Sequence, residues 1–265
     1  MELEKLCSEV LVIAKEAGAF IKKEFHAFDK SKIEYKETNN LVSYVDKGAE
    51  KIIVNALQKL LPEAGFIAEE GTATHQGEDL VWIIDPLDGT TNFSHGLPIW
   101  SVSIALRKGD DALIGVVYEP NLDEMFYAWK NGGAYCNGKL IQVSQESSLS
   151  KSLIATGFPY YQFENTDTYL KILGDLMQKT HGLRRWGSAA VDLAYTACGR
   201  YEGFFEYNLN SYDVAAGLLF VTEAGGQVAD FGTGQKHLSG EEVVASGKVL
   251  SELKEVIREY WTQNK

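Results

Sequence analysis

The stretch from Val81 to Phe93, VWIIDPLDGTTNF, sets the tightest condition on what this chain can become. Val81–Ile84 are four consecutive apolar residues, the pattern of a strand buried on both faces. Asp85 and Asp88 follow directly, punctuated by Pro86 and Gly89. Asp, Pro and Gly also make ordinary turns, but a turn needs one such acid, not two. Carboxylates crowded at the end of a buried strand repel unless they are protonated or bridged by cations. Any fold for this chain must bury the strand and still bring protons or positive charge to its end.

The flanking sequence supplies candidate layers. Leu3, Leu6, Cys7, Val10, Ile13, Ala14, Ala17 and Ile21 recur at helical spacing, predicting an amphipathic helix over about 3–25. A second helix is expected from Val45 to Leu60, stopped by Pro62 and opened by a capping box of Ser43 and Asp46. Strand-like runs follow (GFIAEE, LVWIID, SVSIALRKG, ALIGVVYEP, EMFYAWKNGGAYCNG, KLIQVS), with Asn131-Gly132 and Asn137-Gly138 as hairpin signals. Two helices and then an antiparallel meander make residues 1–145 an α+β half. From 146 to 265 strands alternate with helices, which reads as an α/β half. There KSLIATGF, YEGFFEY, GQVADF and VVASG are the strands. The helices are 167–180, one capped by Ser188 and Gly199, one opened by Asp213, and one over 248–262.

Acids recur where these elements begin or end. Asp46 and Asp213 start helices, where a carboxylate satisfies exposed N–H groups and suits the dipole. Glu69 and Glu70 close GFIA, which could be a solvated strand end. Converging with Asp85 and Asp88, they become an all-oxygen site for hard divalent ions of the magnesium type. The five histidines are scattered without ligand spacing, and Cys7, Cys136 and Cys198 form no CxxC, so a zinc or disulfide framework is not expected. Gly89, Thr90 and Thr91 could present amides at a helix start to a phosphate. Acids for metal beside amides for phosphate describe metal-assisted ester hydrolysis.

Charge and hydropathy narrow the field. A net charge of −12 without a Lys/Arg stripe argues against nucleic acid as a partner. No window carries the roughly 18 apolar residues of a membrane span, and the charged N-terminus does not read as a signal peptide. A cytoplasmic protein is the expectation.

The motifs FIAEEGT, WIIDPLDGTTNF and SYDVAAGLLFVTEAGG, supported by NNLVSYVD and RRWGSAAVDLAYTACG, resemble the inositol monophosphatase family of lithium-sensitive, magnesium-dependent phosphatases, in the family's order and over nearly the whole chain. The resemblance implies a layered α-β-α-β-α sandwich, with the site between the two halves. It implies that Glu69, Asp85 and the Leu87 carbonyl bind one magnesium and that Asp85, Asp88 and Asp213 bind a second, with Glu69 sharing a third. Asp46 and Thr90 would orient and deprotonate the attacking water, with Glu69 counted among the catalytic groups. The Gly89 and Thr90 amides would hold phosphate. Asp88, Gly187, Ser188, Ala189, Glu206 and Asp213 would surround the polyol, with Lys36 near the phosphate. The family also implies a homodimer. Tyr212, Ser188 and Ala68 stand where many members have Trp, Thr and Gly, and the first two bear on which polyol is bound.

The expected activity is therefore hydrolysis of myo-inositol-1-phosphate. A fructose-1,6-bisphosphatase or another small sugar phosphatase is the alternative within the enzyme class. A regulatory, protein-binding module on the same fold is the alternative outside it.

Overall fold

A computed structural model describes residues 2–28, 34–37, 40–74, 77–159 and 163–261. Helix α1 (Leu3–Ala27) buries Leu6, Cys7, Val10, Ile13, Ala14, Ala17 and Ile21, nearly the stripe that the periodicity predicts. Strands β1 (Glu34–Glu37) and β2 (Asn40–Val42) form a small hairpin before α2 (Tyr44–Leu60). Ser43 caps α2: its Oγ accepts from the Val45 N–H, and the Asp46 carboxylate accepts from the Ser43 N–H at 2.9 Å.

A seven-stranded sheet follows, ordered β3 (Gly65–Ala68), β4 (Leu80–Asp88), β5 (Ser101–Lys108), β6 (Asp111–Glu119), β7 (Glu124–Trp129), β8 (Gly133–Cys136), β9 (Lys139–Ile141). It is antiparallel except at β3, which runs parallel to β4. The short helix α3 (Thr90–His95) leaves the end of β4. The turns at Asn131 and Asn137 adopt positive φ (62° and 48°), as the two Asn-Gly signals require.

A second sheet is ordered β11 (Gly182–Arg184), β10 (Leu153–Thr156), β12 (Gly203–Tyr207), β14 (Glu242–Ser246), β13 (Gln227–Ala229). It is mixed, with β10 parallel to β11 and β12, and β14 antiparallel to β12 and β13. Helices α5 (Ala189–Ala197) and α6 (Ser211–Glu223) lie between the two sheets, while α4 (Thr166–Lys179) and α7 (Leu250–Trp261) cover the outer face of the second.

Strand alternation makes the layers. Trp82 and Ile84 pack under α1 and α2, whereas Val81 and Ile83 face α5 and α6. In β12, Phe204 joins that central core and Phe205 the outer one with α4 and α7. Three cores separated by two sheets make the α-β-α-β-α sandwich. Cys7, Cys136 and Cys198 are free thiols. Among the described residues no helix is long and apolar enough to cross a membrane.

Candidate active site

The apolar strand does not stop at Ile84; β4 continues through Asp88. Asp85 pairs with Ser103 and Asp88 with Ser101, so three steps along β4 match two along β5. In a regular strand residues three apart face opposite sides. The extra residue of this bulge turns both aspartates to the same side. Asp85 Oδ1 accepts from the Leu87 N–H at 3.0 Å, which fixes the bulge from within.

Gly89 follows with φ 99°, and a Cβ there would meet the Ile99 carbonyl oxygen at 2.9 Å and the Gly187 carbonyl oxygen at 3.2 Å. Only glycine satisfies both the backbone angle and the space. The chain can then enter α3, placing Thr90 at its first position. Thr90 Oγ1 lies 3.0 Å from both Asp46 Oδ1 and the Leu87 carbonyl oxygen. The carboxylate that closes the capping box of α2 is thus also the partner of Thr90. Asp46 is fully buried, and that burial raises its pKa against the lowering effect of its bonds from Ser43 and Thr90.

The other half contributes through two helix starts. Asp213 is the third residue of α6 rather than its first, and its Oδ2 accepts from the Asn210 N–H at 2.6 Å in a capping box. At α5, Asp88 Oδ2 accepts from Ser188 Oγ at 2.6 Å and from the Ala190 N–H at 2.8 Å. Asp88 therefore ties the first sheet to the N-terminus of α5, where the helix dipole favours negative charge.

Asp85, Asp88 and Asp213 each offer an oxygen within 4.8 Å of those of the other two. Burial, followed by the charges of Glu69, Asp88 and Asp213, pushes the Asp85 carboxyl well above the usual range. Burial brings Asp88 up to about 6, against the bonds from Ser188 and Ala190. Burial and the charge of Asp88 bring Asp213 up to about 7. Such a cluster holds protons that a divalent cation would displace.

The cleft they line has a volume of about 130 Å³, room for a small polar molecule rather than a macromolecular segment. Glu69, Leu87, Gly89, Thr90, Gly187, Ser188, Ala189 and Glu206 join the three aspartates on its walls. Asp46 sits behind that wall, reaching it through Thr90. The side chain of Lys36 lies outside the described residues. Sequence reasoning missed Arg185, Asp192 and Asn208, which also line the cleft. Asp192 had a signal: it is one acid inside the otherwise apolar run AAVDLAYTA. Its carboxyl is buried, Oδ1 has no hydrogen-bond partner, and burial with the charge of Glu206 raises its pKa strongly. Arg185 acts in the opposite sense, lowering the pKa values of both Glu206 and Asp192.

The sequence model of the inositol monophosphatase family matches residues 2–264. The chain belongs to that family. An inositol-1-monophosphatase from Mesorhizobium japonicum is 39% identical over 252 residues, covering 94% of each chain. The protein named Nus factor SuhB from Escherichia coli K12 is 42% identical over 233 residues, covering 88% of this chain and 87% of its own. Among solved structures, the extragenic suppressor protein suhB of Bartonella henselae superposes with a TM-score of 0.90 at 37% identity, covering 95% of this chain and 98% of that one. Inositol monophosphatase from Anabaena sp. PCC 7120 gives 0.87 at 33% identity, covering 98% of each. Family membership and the layered fold thus agree with the resemblance carried by DPLDGTTNF, while the relatives carry two different names.

Proposed function

We propose that the chain is a magnesium-dependent phosphomonoesterase that hydrolyses inositol monophosphate, with myo-inositol-1-phosphate as substrate, to inositol and phosphate. The observation that carries this reading is the convergence of Asp85, Asp88 and Asp213 within 4.8 Å, beside the Asp46–Thr90 hydrogen bond. The donors are all oxygens, which fits a hard cation and not a soft one. Glu69, Asp85 and the Leu87 carbonyl would hold one Mg²⁺ and Asp85, Asp88 and Asp213 a second, with Glu69 shared by a third. When bound, such ions supply a lowered pKa for an attacking water and offset charge on phosphate and leaving oxygen.

The chain's own groups do the rest. Thr90 Oγ1 donates to Asp46, which leaves the hydroxyl oxygen free to accept a hydrogen bond from water and to take up its proton as the hydroxyl proton passes to Asp46. Asp46, with its pKa raised by burial, is a better base than an exposed aspartate. The Gly89 and Thr90 amides would hold the phosphate, and water attacks phosphorus directly without a phosphoenzyme. Asp88, Gly187, Ser188, Ala189, Glu206 and Asp213 would contact the polyol, with Glu206 accepting from its hydroxyls. In this reading residues 1–145 carry most of the metal ligands, while 146–265 carry Asp213 and the substrate contacts. Three free thiols suit a reducing cytoplasm, and a charge of −12 suits a small-molecule partner over nucleic acid. A homodimer and lithium inhibition are part of the same reading through the family.

A second reading has its own observation: the E. coli relative at 42% identity bears the name of a Nus factor. On that reading the fold acts through protein contacts, and catalysis is secondary or lost.

The test is phosphate release from inositol-1-phosphate, fructose-1,6-bisphosphate and glycerol phosphate, with and without Mg²⁺. Magnesium-dependent preference for the inositol ester is the expected result. Preference for the fructose ester moves the substrate to the sugar phosphatase alternative. Release from none of them, in a chain that binds no Mg²⁺, gives the second reading the field.

A further inference from the structure

Glu50 lies one helical turn beyond Asp46 on the same face of α2 and is completely buried. A carboxylate in the interior persists only where its charge is met by donors. Glu50 meets its donors on another element: Oε2 accepts from the Glu70 N–H at 2.7 Å, and Oε1 from the Thr72 N–H at 2.8 Å.

Between those two amides Gly71 adopts φ 67°. A left-handed residue at this point bends the chain so that flanking N–H groups can converge, the geometry of an anion-binding nest. Here the anion is a side chain of the same protein. The turn is held from its other side as well, because the Glu69 N–H donates to the Ile84 carbonyl at 3.1 Å. Glu69 is thus clamped between β4 and α2. Its side chain lines the cleft, and its charge bears directly on Asp85.

We propose that Glu50 is a positioning residue for the metal centre: by filling the nest at 70–72 it fixes Glu69 relative to Asp85 and to the Asp46–Thr90 pair, all through one face of α2. The inference rests on reading the acidic cluster as a divalent-cation site. It adds a residue that neither lines the cleft nor touches substrate. Asp46 and Glu50, four residues apart, would make α2 the common reference for the water-orienting pair and for one metal ligand.

Three full-length variants test it. Glu50→Gln keeps the volume but turns one acceptor into a donor facing an N–H. Glu50→Asp keeps the charge but shortens the reach. Gly71→Ala leaves Glu50 untouched; a Cβ there meets nothing within 4 Å, so the substitution acts only through the backbone angle.

Mg²⁺ binding to the metal-stripped proteins is measured by calorimetry, alongside melting temperature and hydrogen exchange of the Glu70 and Thr72 amides. Glu50→Gln is expected to weaken Mg²⁺ binding about 10- to 100-fold, the range for groups that orient metal ligands. Faster exchange at both amides should accompany that loss. Gly71→Ala is expected to weaken binding up to about 10-fold through left-handed strain. Glu50→Asp should fall between Glu50→Gln and the unaltered chain. Unchanged Mg²⁺ affinity in Glu50→Gln overturns the proposal, even if the melting temperature falls, because that pattern marks a purely structural carboxylate. If Glu50→Gln does not fold, unchanged affinity in Gly71→Ala overturns it instead. An unaltered chain that binds no Mg²⁺ sinks the phosphatase reading itself and the role of Glu50 with it.

Discussion

The two walls of the cleft are built in different ways. One wall is the end of β4, where six residues from Asp85 to Thr90 deliver two carboxylates, a main-chain carbonyl, a left-handed glycine and a hydroxyl. The other wall is assembled from the starts of α5 and α6 and from β12, which bring Ser188, Asp192, Glu206 and Asp213 together from positions up to 25 residues apart. The first wall would offer charge for cations and amides for phosphate, which would serve any phosphate ester. The second, apart from Asp213, would offer carboxyls and a hydroxyl toward whatever the ester carries. Reaction type would then reside in a local motif, and substrate choice in the packing of the second half.

Substitutions can break that division. The largest loss is expected from Asp46→Asn, which would remove the proposed proton acceptor behind Thr90. The turnover number should fall about 10²- to 10⁴-fold with the Michaelis constant much less affected, checked by steady-state phosphate release. Asp88→Asn comes next. Its amide oxygen can still accept from Ser188 and the Ala190 N–H, so the halves stay joined while one charge of the proposed metal site goes. Turnover should drop about 10²- to 10³-fold with a near-native melting curve. Undiminished turnover at saturating Mg²⁺ would remove Asp88 from the metal site.

A smaller and more selective effect is expected from the second wall. Asp192→Asn and Glu206→Gln each alter one cleft-lining group that would face the polyol, a change worth about 1–3 kcal/mol where it leaves a buried polar group unsatisfied. The specificity constant for inositol-1-phosphate should fall roughly 5- to 100-fold, while hydrolysis of a phosphate ester without ring hydroxyls stays within a few-fold. Equal losses on both esters would mean that the second wall serves the chemistry and that the division is wrong.

The smallest effect concerns stability and pH. Asp88 is held up to about 6 and Asp213 to about 7, against an ordinary value of 3.8. The folded metal-free chain therefore binds these protons more tightly than the unfolded chain does. The resulting stabilisation is fully present below pH 3.8 and is lost as pH rises through 6 and 7. Between pH 5 and 7.5 the melting temperature of the metal-free protein should fall, and Asp213→Asn should flatten that slope. Added Mg²⁺ should raise the melting temperature more at pH 7.5 than at 5.5, because binding needs the deprotonated carboxylates. A metal-free protein that becomes more stable over the same interval would contradict the raised values.

Much of this was legible in the chain before folding. The stripe on α1, the Ser43–Asp46 box and the two Asn-Gly turns are local devices, and local sterics and hydrogen bonds act within a few residues. The motif at β4 identified its own acids for the same reason, since two carboxylates after four apolar residues demand compensation wherever the strand lies.

Tertiary structure decided the remainder. The β4 bulge turns Asp85 and Asp88 to one side only because β5 supplies the register, with Ser103 and Ser101 opposite them. The parallel run of β3 depends on where a long connection returns. Burial of Asp192 depends on α5 being enclosed between two sheets, which periodicity along α5 alone does not specify. Nothing local in the sequence marks Glu50 out; its partners are amides 20 and 22 residues away. By itself the sequence determined that the acids next to the apolar run of β4 must find compensating charge, protons or donors, because desolvation penalises them wherever that run is buried. Which atoms supply that compensation is set by long-range contacts, and those exist only once the layers have packed.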